Sequence, residues 1–321
     1  MSLSDRFARK IDYMRVSITD RCNLRCAYCM PEDVECIRHE NVLRFEEYLR
    51  LFEILAELGI KYVRVTGGEP LVRKGWLDFV KALKVINGIE RVTITTNAVL
   101  LEQHLDELAK IGLDGLNISL DTLDPQTYHK ITGFDVFGQV WSSINKAVEL
   151  GLKVKLNCVP IKGVNDGEIL KMVTLPRTLP IDMRFIELMP TSVSGDLEGV
   201  ATEDILEAVK MEYPHLAGDD TIRGFGPARY YKTPDMLGSL GFISPISHEF
   251  CSGCNRIRLS SDGFLTLCLH HSVGLDLRGL LRGGAGNAEI SSAIVEAVNN
   301  KPERHHIGEE IGLKHMSKIG G

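Results

Sequence analysis

Residues 13–31 read YMRVSITDRCNLRCAYCMP. The first part, Tyr13 to Thr19, is short, apolar and β-branched, which argues a strand. The second part is polar and sets Cys22, Cys26 and Cys29 at the spacing C-x3-C-x2-C directly behind it. Parallel α/β proteins carry their chemistry on loops at the C-terminal ends of strands, so this stretch poses fold and function together.

Five more runs of the same kind follow: Lys61 to Thr66, Arg91 to Thr96, Gly115 to Leu120, Lys153 to Val159 and Asp182 to Leu188. Helical patterns lie between most of them. Phe45 to Leu58, Leu101 to Ile111 and Phe137 to Leu150 are each followed by a glycine, Gly59, Gly112 and Gly151, placed as a helix C-cap. Strand and helix alternating six times predict a parallel sheet with right-handed crossovers, two units short of an eight-stranded barrel. The expected fold is therefore α/β, a partial (β/α)6 barrel over residues 1–215. Residues 216–321 are expected to form a C-terminal extension that covers its open side. There the rhythm stops, a hairpin is expected at Ser261-Asp262-Gly263, and weak helical patterns follow around 273–282 and 288–299.

Composition narrows the class. The chain has 321 residues, 44% hydrophobic and 25% charged, which is ordinary for a globular protein. No apolar run is long enough to span a bilayer, and the polar start Met-Ser-Leu-Ser-Asp-Arg lacks a signal core, so neither membrane nor secretion is expected. A net charge of -6 argues against broad nucleic-acid binding. In a cytoplasmic, reducing setting the eight cysteines read as metal ligands or buried thiols.

Three cysteines in one loop are one short of a closed zinc site, and pairing would leave one over. Three ligands on a four-iron cluster would leave one iron open to a substrate or cofactor; zinc or a simple redox site stands as the alternative. Cys251, Cys254 and Cys268, at C-x2-C-x13-C, repeat the three-ligand pattern, with zinc completed by His270 or His271 as the competing reading. Cys158 lies within an apolar run and reads as a core thiol; Cys36 suggests no role.

Arginine stands between apolar neighbours in three strand runs, as Arg15, Arg64 and Arg184. Val63 and Val65 would face a helix layer and Arg64 the interior. Buried guanidinium groups need partners, so converging arginines imply an anion or carboxylates, with Glu69 and Glu187 as candidate structural partners. Arg256 and Arg258 share a strand face beside the second cysteine set. With Lys162 they imply a polyanion such as a nucleoside triphosphate, held by side chains because the chain has no phosphate-binding G-x-x-x-x-G-K-[ST] loop.

The C-x3-C-x2-C loop with Tyr28 before its last cysteine, and Gly67-Gly68-Glu69-Pro70 after a strand, resemble the radical S-adenosylmethionine (SAM) enzymes. Over nearly the whole chain, MRVSITDRCNLRCAYCMP, RVTGGEPLVR, LNISLDTL, RFIELMP, FCSGCNRIRLSSDG and the terminal MSKIGG resemble the GTP 3',8-cyclase family of molybdenum-cofactor biosynthesis. The resemblance implies two [4Fe-4S] clusters, on Cys22, Cys26 and Cys29 and on Cys251, Cys254 and Cys268. It implies SAM lined by Tyr28, Gly68, Ser119 and Met189. GTP contacts are implied for Arg15, Arg64, Thr95, Lys162, Arg256, Ile257 and Arg258, and active-site positions for Arg184, Gly320 and Gly321. The implied reaction is abstraction of the ribose C3' hydrogen of GTP by a 5'-deoxyadenosyl radical, ring closure on guanine C8, and release of 3',8-cyclo-7,8-dihydro-GTP. A homodimer and a downstream cyclic pyranopterin monophosphate synthase are implied partners. Another two-cluster radical SAM enzyme, acting on a peptide or tetrapyrrole, and a non-enzymatic electron carrier or zinc module are the competing classes. Where the family usually has Thr-Thr-Asn-Gly, this chain has Thr95-Thr96-Asn97-Ala98, so a left-handed turn there must be absent or strained.

Overall fold

The computed structural model describes residues 2–30, 35–190, 194–271 and 273–305. All six expected strands form: β1 (Tyr13–Ser17), β2 (Tyr62–Thr66), β3 (Arg91–Thr96), β4 (Gly115–Ser119), β5 (Val154–Cys158) and β6 (Asp182–Ile186). Six more follow among the described residues: β7 (Ala217–Gly218), β8 (Arg229–Lys232), β9 (Ser239–Ile243), β10 (Arg256–Leu259), β11 (Phe264–Thr266) and β12 (Gly274–Asp276). Helices Phe45–Glu57 and Phe137–Glu149 match their patterns, while the third is split into a 3-10 turn and a short helix, Leu105–Lys110. The three capping glycines, Gly59, Gly112 and Gly151, take the left-handed conformation the helix ends require.

The chain forms two compact units, Met1–Asn23 with Cys29–Ile94 and Cys251–Gly321, and Leu24–Tyr28 with Thr95–Phe250. In the first, β10, β1, β2 and β3 run parallel in that order, and β11 and β12 continue antiparallel beyond β10. In the second, β4, β5, β6 and β9 run parallel, and β8 and β7 continue antiparallel beyond β9. In neither unit does the strand order return to its own first strand among the described residues. The result is the expected open α/β architecture, and the C-terminal region joins these sheets through β9 and β10.

Alternation along the strands sorts apolar from polar residues. Met14, Val16, Val63, Val65, Ile257 and Leu259 are fully buried, while Arg15, Arg64 and Arg258 take the opposite face. Helix Phe45–Glu57 covers the first unit with Tyr48, Leu51, Phe52 and Leu55 at helical spacing. Each such side chain contributes about 1.5–3 kcal/mol. Phe79 stacks on Phe45 at 4.9 Å and ties the next helix, Trp76–Val85, to this one. The hairpin turn falls at Ser261-Asp262-Gly263 as expected, with Gly263 at positive φ, and helices occupy Leu277–Arg282 and Asn287–Asn299. No helix among the described residues is long and apolar enough to cross a membrane.

Candidate functional site

Parallel pairing places the arginines of the first unit in a row. Arg15 of β1 is opposite both Arg258 of β10 and Arg64 of β2, and Arg64 is opposite Thr93 of β3. One pleat away, Tyr13 is opposite Arg256 and carries the Arg64 guanidinium 5.6 Å from its ring centroid. Arg258 is only 8% exposed. Burial, then Arg15 and Arg256, hold it well below the ordinary guanidinium range, against the opposing pull of the Tyr13 phenol and the Cys268 thiol. Burial pushes the Tyr13 phenol up, but Arg64, Arg15 and Arg256 outweigh it and leave it lowered. Guanidinium groups gathered in one desolvated place form an arrangement that a polyanion would stabilise. Ile257 points to the opposite, apolar face and leaves only its backbone on this side.

The second cysteine set borders this row. Cys251 opens the 3-10 turn Cys251–Gly253 before β10, Cys254 directly follows it, and Cys268 follows β11. All three thiols are half-buried. Burial raises the Cys254 thiol, yet Lys301 and Arg256 outweigh it and hold it below the usual range, the form a metal requires. Among the described residues, Cys251 is the member of the set whose thiol stands with two other possible ligands, Glu249 and His305, all within 4.8 Å of one another. His271 Nε2 lies 3.3 Å from the Arg304 carbonyl, whereas His270 Nδ1 is buried with no hydrogen-bond partner among the described residues. Burial, then His305, Arg258 and His271, lower the His270 pKa to about 4.

The glycine turn has a cause the sequence did not reveal. A Cβ on Gly68 would stand 2.4 Å from the Arg21 carbonyl oxygen, and one on Gly67 2.6 Å from that of Thr19. Gly68 N–H donates to Thr19 O at 2.7 Å and Glu69 N–H to Arg21 O at 2.8 Å. Paired glycines let the turn after β2 clasp the backbone leading into Cys22. Arg73 fastens the turn by donating to the carbonyls of Ile18 and Leu43. Cys22, Cys26 and Cys29 are each half-buried, unlike the core thiol Cys158, which burial and Asp121 push well upward, and unlike exposed Cys36.

In the second unit, Ser119, Asn157, Arg184 and Gly241 stand in register across β4, β5, β6 and β9. Arg184 is 5% exposed and donates from Nη2 to Asn117 Oδ1 at 2.6 Å. Gly241 is required beside it, since a Cβ there would lie 2.8 Å from Arg184 Cγ. Glu187 does not serve as an arginine's partner in its hydrogen bonds, which come from Thr202, Ile246 and Ser247. Glu69 accepts from the Leu71 N–H. The Thr95 hydroxyl and the Asn157 amide oxygen are buried with no hydrogen-bond partner among the described residues, as fits a polar ligand. Lys162 is exposed and paired with Glu198. Met189 is half-buried just beyond β6, and Gly320 and Gly321 lie outside the described residues.

Tyr28 donates to Asp121 Oδ2 at 2.8 Å, and Asp121 Oδ1 accepts the Val159 N–H at 2.8 Å. Burial pushes this carboxyl up to about 6 against both bonds. Asp121, Asn157, Tyr13, Arg9 and Lys301 went unread in the sequence. Tyr13 alone carried a signal, its i, i+2 spacing from Arg15.

Comparison with known proteins places these features in context. The Radical SAM superfamily matches residues 16–175 and Molybdenum Cofactor Synthesis C matches residues 181–307. The chain is 46% identical to the GTP 3',8-cyclase of Heliobacterium modesticaldum and 42% identical to that of Desulforamulus reducens, in each case over 99% of both chains. In fold it is similar to Streptococcus suis SuiB bound to S-adenosylmethionine, with a TM-score of 0.64 and 17% identity over 93% of this chain and 76% of that one.

Proposed function

The chain belongs to the GTP 3',8-cyclase family of radical SAM enzymes, and from that premise we propose which residues perform its reaction. The activity is conversion of GTP to 3',8-cyclo-7,8-dihydro-GTP, the first step of molybdenum-cofactor biosynthesis. A [4Fe-4S] cluster and SAM, when bound, supply the 5'-deoxyadenosyl radical that removes the ribose C3' hydrogen.

Cys22, Cys26 and Cys29 would hold that cluster, with Tyr28, Gly68, Ser119 and Met189 lining SAM. The observation that carries the substrate assignment is the register of Arg258, Arg15 and Arg64, three guanidinium groups in one row with Arg256 beside it. Their charges suit a triphosphate, and their planar donors bind its oxygens in pairs. Holding GTP there fixes the ribose for hydrogen transfer and excludes water, the protein's principal contributions. Thr95, Lys162 and the Ile257 backbone complete the GTP contacts. Arg184, Gly320 and Gly321 are the proposed catalytic positions.

A second [4Fe-4S] cluster on Cys251, Cys254 and Cys268 is part of this reading, since three ligands leave an iron for a purine donor. The alternative there is zinc completed by His270 or His271. We also propose a homodimer, a downstream cyclic pyranopterin monophosphate synthase, cytoplasmic residence where thiols stay reduced, and a functional division at residues 1–215 and 216–321.

The deciding experiment measures 5'-deoxyadenosine formed by reduced, anaerobic protein with SAM and each common nucleoside triphosphate. Stimulation by GTP alone, with a cyclised guanine product, is expected. Cleavage indifferent to the nucleotide would remove the substrate assignment. Metal analysis should find two clusters' worth of iron; zinc with half that iron would favour the alternative.

A further inference from the structure

The three cysteine-bearing segments near the arginine row are tied by two buried cations, Arg9 and Lys301. Lys301, two residues beyond the end of helix Asn287–Asn299 and only 2% exposed, donates from Nζ to the Arg256 carbonyl at 3.0 Å and to the Leu267 carbonyl. Arg256 is two residues beyond Cys254, and Leu267 directly precedes Cys268. Arg9, 8% exposed, donates from Nη1 to the Cys251 carbonyl at 2.8 Å. Its remaining donors reach the carbonyls of Glu303 at 2.8 Å and Pro302 at 2.6 Å, and Asp5 Oδ2 at 2.6 Å. Arg9 therefore holds the Cys251 segment to residues 302–303, next to the lysine that holds the other two.

We propose that Arg9 and Lys301 are positioning residues for the second cluster, a cationic frame that fixes the spacing of Cys251, Cys254 and Cys268 and stabilises the negative charge of the loaded site. This rests on the two-cluster reading above. Burying an ammonium merely to hold two carbonyls is expensive when a neutral donor would do the same. A cation is warranted where three thiolates surround a cluster whose one-electron reduction adds a further negative charge without a proton. Lys301 favours the reduced form, and Arg9, its charge balanced by Asp5, chiefly fixes the Cys251 backbone.

The test is an EPR-monitored redox titration of the anaerobically reconstituted full chain, with the signal that SAM perturbs assigned to the first cluster. Lys301→Met should retain iron and lower the reduction equilibrium constant of the SAM-insensitive cluster at least tenfold, 59 mV for one electron. The SAM-sensitive cluster should be unmoved, and Lys301→Arg should restore most of the difference. Arg9→Gln should accelerate loss of iron from the SAM-insensitive site to a chelator about fivefold or more, and decides the matter if Lys301→Met fails to fold. Unchanged potential with unchanged chelator resistance, in protein that carries both clusters, overturns the proposal. Zinc at the second site of the wild type instead overturns the two-cluster reading, and the proposal with it.

Discussion

Basic side chains are surrounded differently around Asp182 in the second compact unit and around Arg258 in the first. In the second unit Lys155 Nζ lies 3.4 Å from Asp182, and Arg223 lies 3.2 Å from Asp182 and 2.6 Å from Asp219. These carboxylates provide charge balance within the fold. In the first unit, the influences on Arg258 after burial are two further arginines, countered by a phenol and a thiol. A basic residue facing carboxylates is balanced within the fold, whereas buried guanidinium groups that lower one another carry a cost that a bound polyanion would relieve.

The contrast can be broken from either side. Arg258→Ala should lower GTP-dependent 5'-deoxyadenosine formation about 1000-fold, equivalent to about 4 kcal/mol. Its urea midpoint should stay level or rise, because a buried like charge has gone. A large loss of stability with GTP response intact would make the row structural. Asp182→Asn should do the reverse, leaving Lys155 and Arg223 short of a counter-charge and costing about 3 kcal/mol of stability by denaturant titration. Its KM for GTP should remain within about threefold of wild type.

Asp121 sharpens the comparison because it is the second unit's own exception, a buried carboxyl raised to about 6. A folded pKa above the unfolded value means that the native state binds the proton more tightly. That stabilisation is complete below about pH 4 and is lost as pH rises through about 6, leaving the native state some 2–3 kcal/mol weaker at neutral pH. Asp121→Asn keeps an acceptor for the Val159 N–H and removes the titration. Urea midpoints at pH 5 and 8 should therefore converge in the variant relative to wild type. An unchanged gap would mean that the carboxyl is better solvated than its surroundings imply.

The strand rhythm, the three glycine caps and the cysteine sets were legible because each is local in sequence. What joined them was not. Arg15, Arg64 and Arg184 look alike in the chain, each between apolar neighbours, but inter-strand register sets Arg15 and Arg64 side by side and gives Arg184 to Asn117. Lys301 shows no periodicity and lies 33 residues beyond Cys268 in sequence, so only tertiary structure could bring its ammonium to the carbonyl before that cysteine. The backbone that a Cβ on Gly67 or Gly68 would meet, at Thr19 and Arg21, lies on another strand's loop, so that demand for glycine is likewise invisible in the local sequence.

Two positions of glycine character, one in each unit, yield the smallest prediction. At Gly68 the demand is steric, since a Cβ would meet backbone that cannot yield. At Ala98 the demand is conformational: the expected left-handed turn is present and strained, with φ at 63° on a non-glycine residue. Its N–H donates to Thr96 Oγ1 at 3.0 Å and its carbonyl accepts from Ser143 Oγ at 2.9 Å, which hold the turn in place. Ala98→Gly would relieve about 1–2 kcal/mol of strain. Against this, the Ala98 methyl is fully buried, so its loss costs about 0.8 kcal/mol. The freer unfolded chain costs about 0.4–1 kcal/mol more. These contributions nearly cancel, so stability should change by less than about 1 kcal/mol and Tm by no more than roughly 3 °C. A rise well above that would show that the methyl contributes little packing. A comparable fall would show that the turn is relaxed, and that alanine stands here because its methyl fills the space under Ser143.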